Sequence, residues 1–336
     1  MKLFSLSNRK KEQRNSSAPP FNTVYTQPAN SNMASPAAGA RPGTAFQPPT
    51  AQSAGQQPPT VRTTPGTTFQ PVPGAVRPPL SARQLLSYQV ANLQGIGTCE
   101  KQEDSFAFVN VLDVTLMREQ GLLAIVADGM GGMRDGRQAS DAVIQSVKSS
   151  FAEFDYSADL AQQMVDSVAA ANERVFRLLD GEGGSTLIAC LLYQESLYFV
   201  SVGDSYLYLK RNGQLLRLNR PQNVLHMLYM ESIREGNMDP SFAEENHEKA
   251  ALSQFLGMEF LDDVDFLRRP LPLMPGDVLL ACSDGVGGML TEEQVLECLS
   301  LLTPRDMCEA LEKNVLAASA GGYQDNYTAL VLQCSY

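Results

Sequence analysis

The run LLAIVADGMGG, residues 122–132, decides how the rest of the chain is read. Six apolar residues stop at Asp128, and Gly129, Gly131 and Gly132 follow within four positions. A short apolar stretch bounded by Asp and Gly is the pattern of a buried strand. An Asp before a Gly at such a place is usually a turn residue, accepting a local backbone hydrogen bond. Three glycines in four positions exceed what a turn requires and point to backbone that a ligand approaches closely. Similar acidic strand ends recur: Glu103-Asp104 open SFAFV (105–109), Gly203-Asp204 close SLYFVSV (196–202), Asp284-Gly285 close DVLLAC (277–282), and Asp325-Asn326 open YTALVLQ (327–333). Strand ends are where a rigid sheet can hold side chains toward one point. Carboxylates facing one another repel and keep protons unless a cation compensates them, so an oxygen-coordinated pair of Mg2+ or Mn2+ ions is the simplest account.

Around these blocks, 186–193, 196–202 and 206–210 read as strands, with hairpin turns at Gln194-Glu195 and Asn212-Gly213 that make neighbouring strands antiparallel. Helical spacing marks 137–151, 159–179, 291–301 and 304–318, the last two with Thr291 and Thr303 near the cap position. Residues 220–270 are the least regular. Hairpins beside long helix pairs indicate an α+β layering of antiparallel sheets flanked by helices.

Two regions follow from composition. Residues 1–84 hold nine Lys or Arg against one acid, Glu12, and 14 of the chain's 20 prolines fall between Asn15 and Leu80. Such a segment buries too little apolar surface to offset its ordering entropy and is expected to be a disordered Pro/Ala/Thr-rich basic tail. Thr60, Thr63, Thr64, Thr67 and Thr68 around Pro65 are its candidate phosphorylation sites, beside the plainer reading of a solvated spacer. Residues 85–336 form the expected folded domain; because the tail is basic, this domain holds more than the chain's whole net charge of −11. So acidic a domain is a poor match for a phosphate backbone, which argues against nucleic acid as partner. No apolar run reaches the ~18 residues of a membrane span, and the six cysteines form no C-x-x-C pair, so a cytoplasmic location with reduced thiols is expected. With two histidines only, zinc on nitrogen and sulfur ligands is disfavoured.

In the order GTCEKQEDSFAF, VADGMGG, GGSTLIACLL, VGDSYLYL, LLACSDGVGG and DNYTALVL, residues 90–334 resemble the metal-dependent type 2C serine/threonine protein phosphatases, the PPM family, in its bacterial branch. The resemblance implies a four-layer α-β-β-α sandwich of two antiparallel sheets flanked by helices. It makes Asp128 the carboxylate bridging two metals, with the Gly129 carbonyl, Glu103, Asp284 and Asp325 as further ligands. Asp104 would orient the attacking water from behind them. Asn326 and Asp204 would support the site, and Asp180 is a weak candidate for a third metal. The implied reaction is hydrolysis of phosphoserine or phosphothreonine in proteins by water that the ion pair activates, in opposition to a cognate serine/threonine kinase. Met130 stands where animal relatives carry a histidine, so a second water is expected to protonate the leaving alkoxide.

Two positions depart from the family pattern. Cys99 stands where the family has a phosphate-clamping arginine, and Tyr206 where the motif continues Gly-Asp-Ser-Arg. Lys101, placed on the same face as Cys99 by strand alternation, is the expected substitute for the lost guanidinium, unless it is merely solvated. The alternative function is a pseudophosphatase, a phosphoprotein-binding module that lost turnover with that arginine; a third reading is hydrolysis of a small-molecule phosphate. Residues 220–257 correspond to the variable flap, whose acids Glu231, Glu235, Asp239, Glu244, Glu245 and Glu248 either select basic substrates or are solvated loop charge.

Overall fold

The computed structural model describes residues 85–130, 135–236 and 241–336; the tail with its threonines, Gly131, Gly132 and Asp239 lie outside the described residues. In chain order the strands are β1 (Ser87–Gly95), β2 (Ser105–Val109), β3 (Leu122–Ala127), β4 (Leu187–Tyr193), β5 (Ser196–Val202), β6 (Tyr206–Arg211), β7 (Gln214–Arg217), β8 (Asp265–Phe266), β9 (Leu271–Pro272), β10 (Val278–Cys282) and β11 (Tyr327–Ser335). The helices are α1 (Val114–Gln120), α2 (Gly136–Ala152), α3 (Leu160–Leu179), α4 (Val224–Arg234), α5 (Ser241–Glu244), α6 (Asp284–Gly287), α7 (Glu292–Cys298) and α8 (Pro304–Ala318). One sheet runs β1-β11-β10-β6-β7 and the other β2-β3-β4-β5-β8, with β9 also pairing β5.

Strand β3 shows why two sheets stack. All six of its residues are buried, so both of its faces must be covered. Leu122, Ala124 and Val126 pack between the sheets with Leu207, Leu279, Ala281 and Leu330. Leu123, Ile125 and Ala127 face the other way, onto Val143 and Val147 of α2 and Met164 and Val168 of α3. On the opposite side Leu280, Ala329 and Val331 meet Val295 of α7 and Met307, Leu311 and Val315 of α8. Each fully buried large aliphatic side chain contributes ~1.5–3 kcal/mol, and the result is the four-layer sandwich.

Local chemistry sets the boundaries. Asp159 caps α3 by accepting from the Ala161 and Gln162 amides, Thr291 and Gln294 form a reciprocal capping box on α7, and Thr303 caps α8 ahead of Pro304. The hairpin pairs Gln194-Glu195 (φ 48 and 59) and Asn212-Gly213 (φ 52 and 75) are left-handed at both residues, as two-residue turns joining right-twisted strands require. Two boundaries differ from expectation. The helix expected over 291–301 ends at Cys298, because the chain turns there to let Thr303 start α8. Within 220–270 lies the regular helix α4, whose apolar residues run almost continuously from Val224 to Met230, so no one-sided face marks it in the sequence.

Candidate active site

Strand register brings the acidic strand ends together. Ser105 pairs Ala127, Leu187 pairs Val202, and Cys282 pairs both Tyr206 and Ala329. The end of β3 therefore lies beside the start of β2, and the end of β10 beside the starts of β6 and β11. A cleft of about 620 Å³ opens at this edge, lined by Glu103, Asp128, Gly129, Asp204, Asp284, Asp325 and Asn326 among others.

Asp128 is fixed through its backbone. Its N–H donates to Thr186 Oγ1 at 3.1 Å and its carbonyl accepts the Thr186 N–H at 2.8 Å. Gly129 has to be glycine, since a Cβ there would sit 2.1 Å from the Gly136 carbonyl oxygen. A Cβ on Gly136 would in turn lie 2.9 Å from the Gly129 carbonyl oxygen and 3.0 Å from Glu103 Oε1, so these two oxygens face one point. Gly285 is equally constrained: a Cβ would come within 1.9 Å of the Asn326 carbonyl oxygen. This close approach seats the Asp284 turn against the start of β11. Asn326 ties the 96–103 loop to the same place, accepting the Glu103 N–H at 2.6 Å and donating to the carbonyls of Ile96 and Lys101 at 2.9 and 3.0 Å. Asp325 Oδ1 accepts from the Asn326 N–H at 2.7 Å and from Cys99 Sγ at 3.3 Å.

Asp104 lies behind the cleft lining, fully buried. Its Oδ2 accepts Ser283 Oγ at 2.8 Å, and that hydroxyl takes the Thr328 N–H at 3.0 Å. Ser283 is thereby drawn away from capping α6. Asp104 Oδ1 has no partner. Burial pushes the Asp104 carboxyl up to about 6 and that of Asp204 to about 6, the latter with help from the charge of Asp284. Burial, then the charges of Asp104, Asp284 and Asp204, raises Asp128 well above the carboxylate range. Asp284 keeps contact with solvent at the mouth of the cleft, yet its dense surroundings, and next the charge of Asp325, raise it too.

This arrangement fits hard divalent cations. The donors are oxygens, one buried carboxylate oxygen is orphaned, burial and mutual charge make several of the carboxyls costly to ionise without a cation, and backbone is cleared of Cβ atoms beside them. Among the described residues no three His, Cys, Asp or Glu side chains already close on a single point, so binding cations would require the carboxylates to adjust.

Lys101 departs from expectation. Residues 96–104 form no strand: β1 ends at Gly95 and the chain turns through Gly97 (φ 61), so alternation does not apply. Lys101 is exposed and outside the cleft lining, and its carbonyl is what joins the network. Cys99 does line the cleft, with Tyr323 OH 3.3 Å from its Sγ. Asp180 is the exposed left-handed C-cap of α3, likewise outside the lining. Sequence reading missed Ser283, Thr186, Thr328, Tyr323 and Arg217. Ser283, Thr186 and Thr328 lie inside the quoted blocks, but nothing in those blocks sets their hydroxyls apart.

Fold and cleft together define an α+β sandwich protein built to hold hard cations on carboxylate oxygens. The model of the family described as protein phosphatase 2C matches residues 101–319, and the chain belongs to that family. It is similar to the serine/threonine phosphatase Stp of Listeria monocytogenes, 28% identical over 219 residues covering 63% of this chain and 84% of Stp. Among solved structures it resembles the PPM Ser-Thr phosphatase MsPP of Mycobacterium smegmatis, with 27% identity, TM-score 0.57, and coverage of 74% of this chain and 98% of MsPP. It also resembles the catalytic domain of the serine/threonine protein phosphatase PstP in complex with two manganese ions, at 25% identity and TM-score 0.58, covering 75% and 100% of the two chains. By family, the chain is a protein serine/threonine phosphatase.

Proposed function

We propose that this chain hydrolyses phosphoserine and phosphothreonine in proteins with two Mn2+ or Mg2+ ions, held by Asp128, the Gly129 carbonyl, Glu103, Asp284 and Asp325. The observation that carries the reading is the convergence of acids from five separate strand ends on one cleft. Two manganese ions in the related PstP catalytic domain support the cofactor assignment. Such ions would supply positive charge against the phosphate and acidify the attacking water. Asp104, behind the ligands with Oδ1 free, would orient that water and hold its proton. Asn326 would keep Glu103 in place through the Glu103 N–H, and the turn at Asp204 would support the opposite wall.

In place of the family arginine, the rim offers Cys99, Tyr323 and Thr98, all neutral. Substrate phosphate would then depend on the cations more than on the rim, and the Lys101 side chain would have to swing in from outside to contribute. Six free cysteines, five of them buried, support a reducing cytoplasmic setting; among the described residues no helix is long and apolar enough to cross a membrane. An opposing serine/threonine kinase would supply the substrates.

The test is Mn2+-dependent phosphate release from a phosphopeptide, an aryl phosphate and phosphorylated metabolites. Turnover of the first two, abolished by Asp284→Asn, is expected. Phosphopeptide binding without turnover would establish the pseudophosphatase instead, and preference for metabolites would establish a small-molecule enzyme.

A further inference from the structure

The turn Gly203-Asp204-Ser205, which carries Asp204 into the cleft, is held by residues 217–222 and by the hydroxyl pair of Ser205 Oγ and Thr186 Oγ1 at 2.8 Å. Gln222 pairs both backbone groups of Gly203, its N–H donating to the Gly203 carbonyl at 2.9 Å and its Oε1 accepting the Gly203 N–H at 2.8 Å. Asn219 Nδ2 donates to the Ser205 carbonyl at 2.8 Å, and Asn219 Oδ1 accepts the Leu207 N–H at 2.8 Å. Arg217 Nη2 reaches the carbonyls of Asp204 and Ser205 at 3.2 and 3.4 Å.

The same guanidinium lies 4.0 Å from the centroid of the Tyr206 ring. That ring packs against α6: a Cβ on Gly287 would fall 2.3 Å from Tyr206 Cδ2. Helix α6 begins with Asp284. One cation therefore bears on the turn of Asp204 directly and, through a ring, on the turn of Asp284.

Packing alone does not account for this arginine. An aliphatic side chain would cover Tyr206 without bringing a half-buried charge whose Nε is buried and unpartnered. Among the described residues Arg217 makes no ion pair within 4.0 Å, so its charge stays available to the acids nearby, and it lowers the Asp204 carboxyl against the upward pressure of burial. A planar fork that donates and stacks at once is what arginine offers and lysine does not.

We propose that Arg217 is a positioning residue of the active site, fixing the Asp204 turn and, over Tyr206, the Asp284 turn for cation binding, without touching substrate. The inference uses the phosphatase reading only for its kinetic arm.

The test uses the full chain carrying Arg217→Met or Arg217→Lys, each alone and combined with Asp204→Asn. Mn2+ binding is read by isothermal titration calorimetry, kcat and KM on a phosphopeptide, and the thermal midpoint in chelator. Arg217→Met is expected to weaken Mn2+ binding about fivefold and lower kcat about tenfold with KM within about twofold, and to add less than about twofold on top of Asp204→Asn. Arg217→Lys, which keeps charge but loses the fork, should fall between, and it decides the matter should Arg217→Met not fold. Tighter Mn2+ binding in Arg217→Met, as from merely removing a repelling charge, would overturn the proposal. So would equal losses in both backgrounds, which a general structural role gives, or a raised KM with kcat unchanged, which places the residue on substrate. Should the wild type hydrolyse no phosphopeptide, the phosphatase reading fails while calorimetry still decides the role of Arg217.

Discussion

Replacing Asp104 by asparagine should make the metal-free protein more stable at neutral pH while impairing it as an enzyme. Asp104 is fully buried, with Ser283 Oγ on one oxygen and nothing on the other. Burial holds its carboxyl at about 6, against ~3.9 in an unfolded chain. Between pH ~4 and ~6 the folded state therefore binds more protons than the unfolded state, so stability falls as pH rises across that window. A gap of about two pH units corresponds to about 3 kcal/mol lost by pH 7. Asparagine carries no charge at any pH, keeps the Ser283 hydrogen bond through its carbonyl, and its amide can donate toward the neighbouring Asp128. Urea unfolding in chelator should find variant and wild type within about 1 kcal/mol of each other at pH 4, and the variant ahead by ~2–3 kcal/mol at pH 7. Saturating Mn2+ should reverse that order, because a cation relieves in the wild type what a proton relieved without it. A difference that is the same at pH 4 and pH 7 would refute the reasoning, since the carboxyl would then not be held protonated by burial.

Other consequences are read in similar assays. Arg211 Nε and Nη2 donate to the two oxygens of Asp277 at 2.8 and 2.6 Å, and Asp277 is buried; Arg211→Met leaves that carboxylate unpaired and should cost ~3–5 kcal/mol in urea unfolding. Gly285→Ala forces a methyl against the Asn326 carbonyl oxygen, and should cost about 3 kcal/mol or more and separate the Asp284 turn from β11, seen as a lowered thermal midpoint together with lost Mn2+-dependent turnover. Cys99→Arg should lower KM for a phosphopeptide by about tenfold through a charge-assisted contact with phosphate; an unchanged KM would show that the rim at 99 does not reach the substrate.

Much of this site was legible because strand ends are local signals. Asp128-Gly129, Asp284-Gly285 and Asp325-Asn326 each follow or precede an apolar run whose length and β-branching mark a strand, and antiparallel pairing then carries them to one edge. The hairpin at Asn212-Gly213 is readable because those residues tolerate positive φ, whereas Gln194-Glu195, left-handed as well, is readable only as a polar pair between two apolar runs. What stayed hidden depends on partners far away in sequence. Ser283 reaches Asp104 across 179 residues and Thr328 across 45, and nothing in SDG distinguishes that use from an ordinary helix cap. The turn at 96–104 was mistaken for strand because Gly97 and the Gln102 side chain, which accepts the Asp104 N–H, bend the chain without an apolar break to show it. Helix α4 is hard to read from sequence because its apolar residues are nearly consecutive from Val224 to Met230 and show no helical period.

The substitution at 99 gains a physical sense once Asp325 is beside it. Cys99 Sγ donates to Asp325 Oδ1 at 3.3 Å, a weak contact that leaves the carboxylate's charge intact. An arginine there could form a bidentate pair with Asp325 and compete with a cation for the same oxygens, even as it gripped phosphate. Glu100, Glu103, Asp128, Asp204, Asp284 and Asp325 line the cleft, and among its described lining residues none is Lys, Arg or His. Arg217 spends its donors on backbone carbonyls and its face on Tyr206, and Arg137 Nη1 donates to the Asp104 carbonyl at 3.0 Å, so neither guanidinium is spent on a carboxylate of the cleft. With no basic side chain among the described lining residues, burial and then the charges of neighbouring acids raise Asp104, Asp128, Asp204 and Asp284 together. On the proposed reading, phosphate capture would fall to the bound cations, so Cys99→Arg should improve KM only while requiring more Mn2+ for half-maximal activity. A variant that improved both would mean that the two demands are not in competition at this rim.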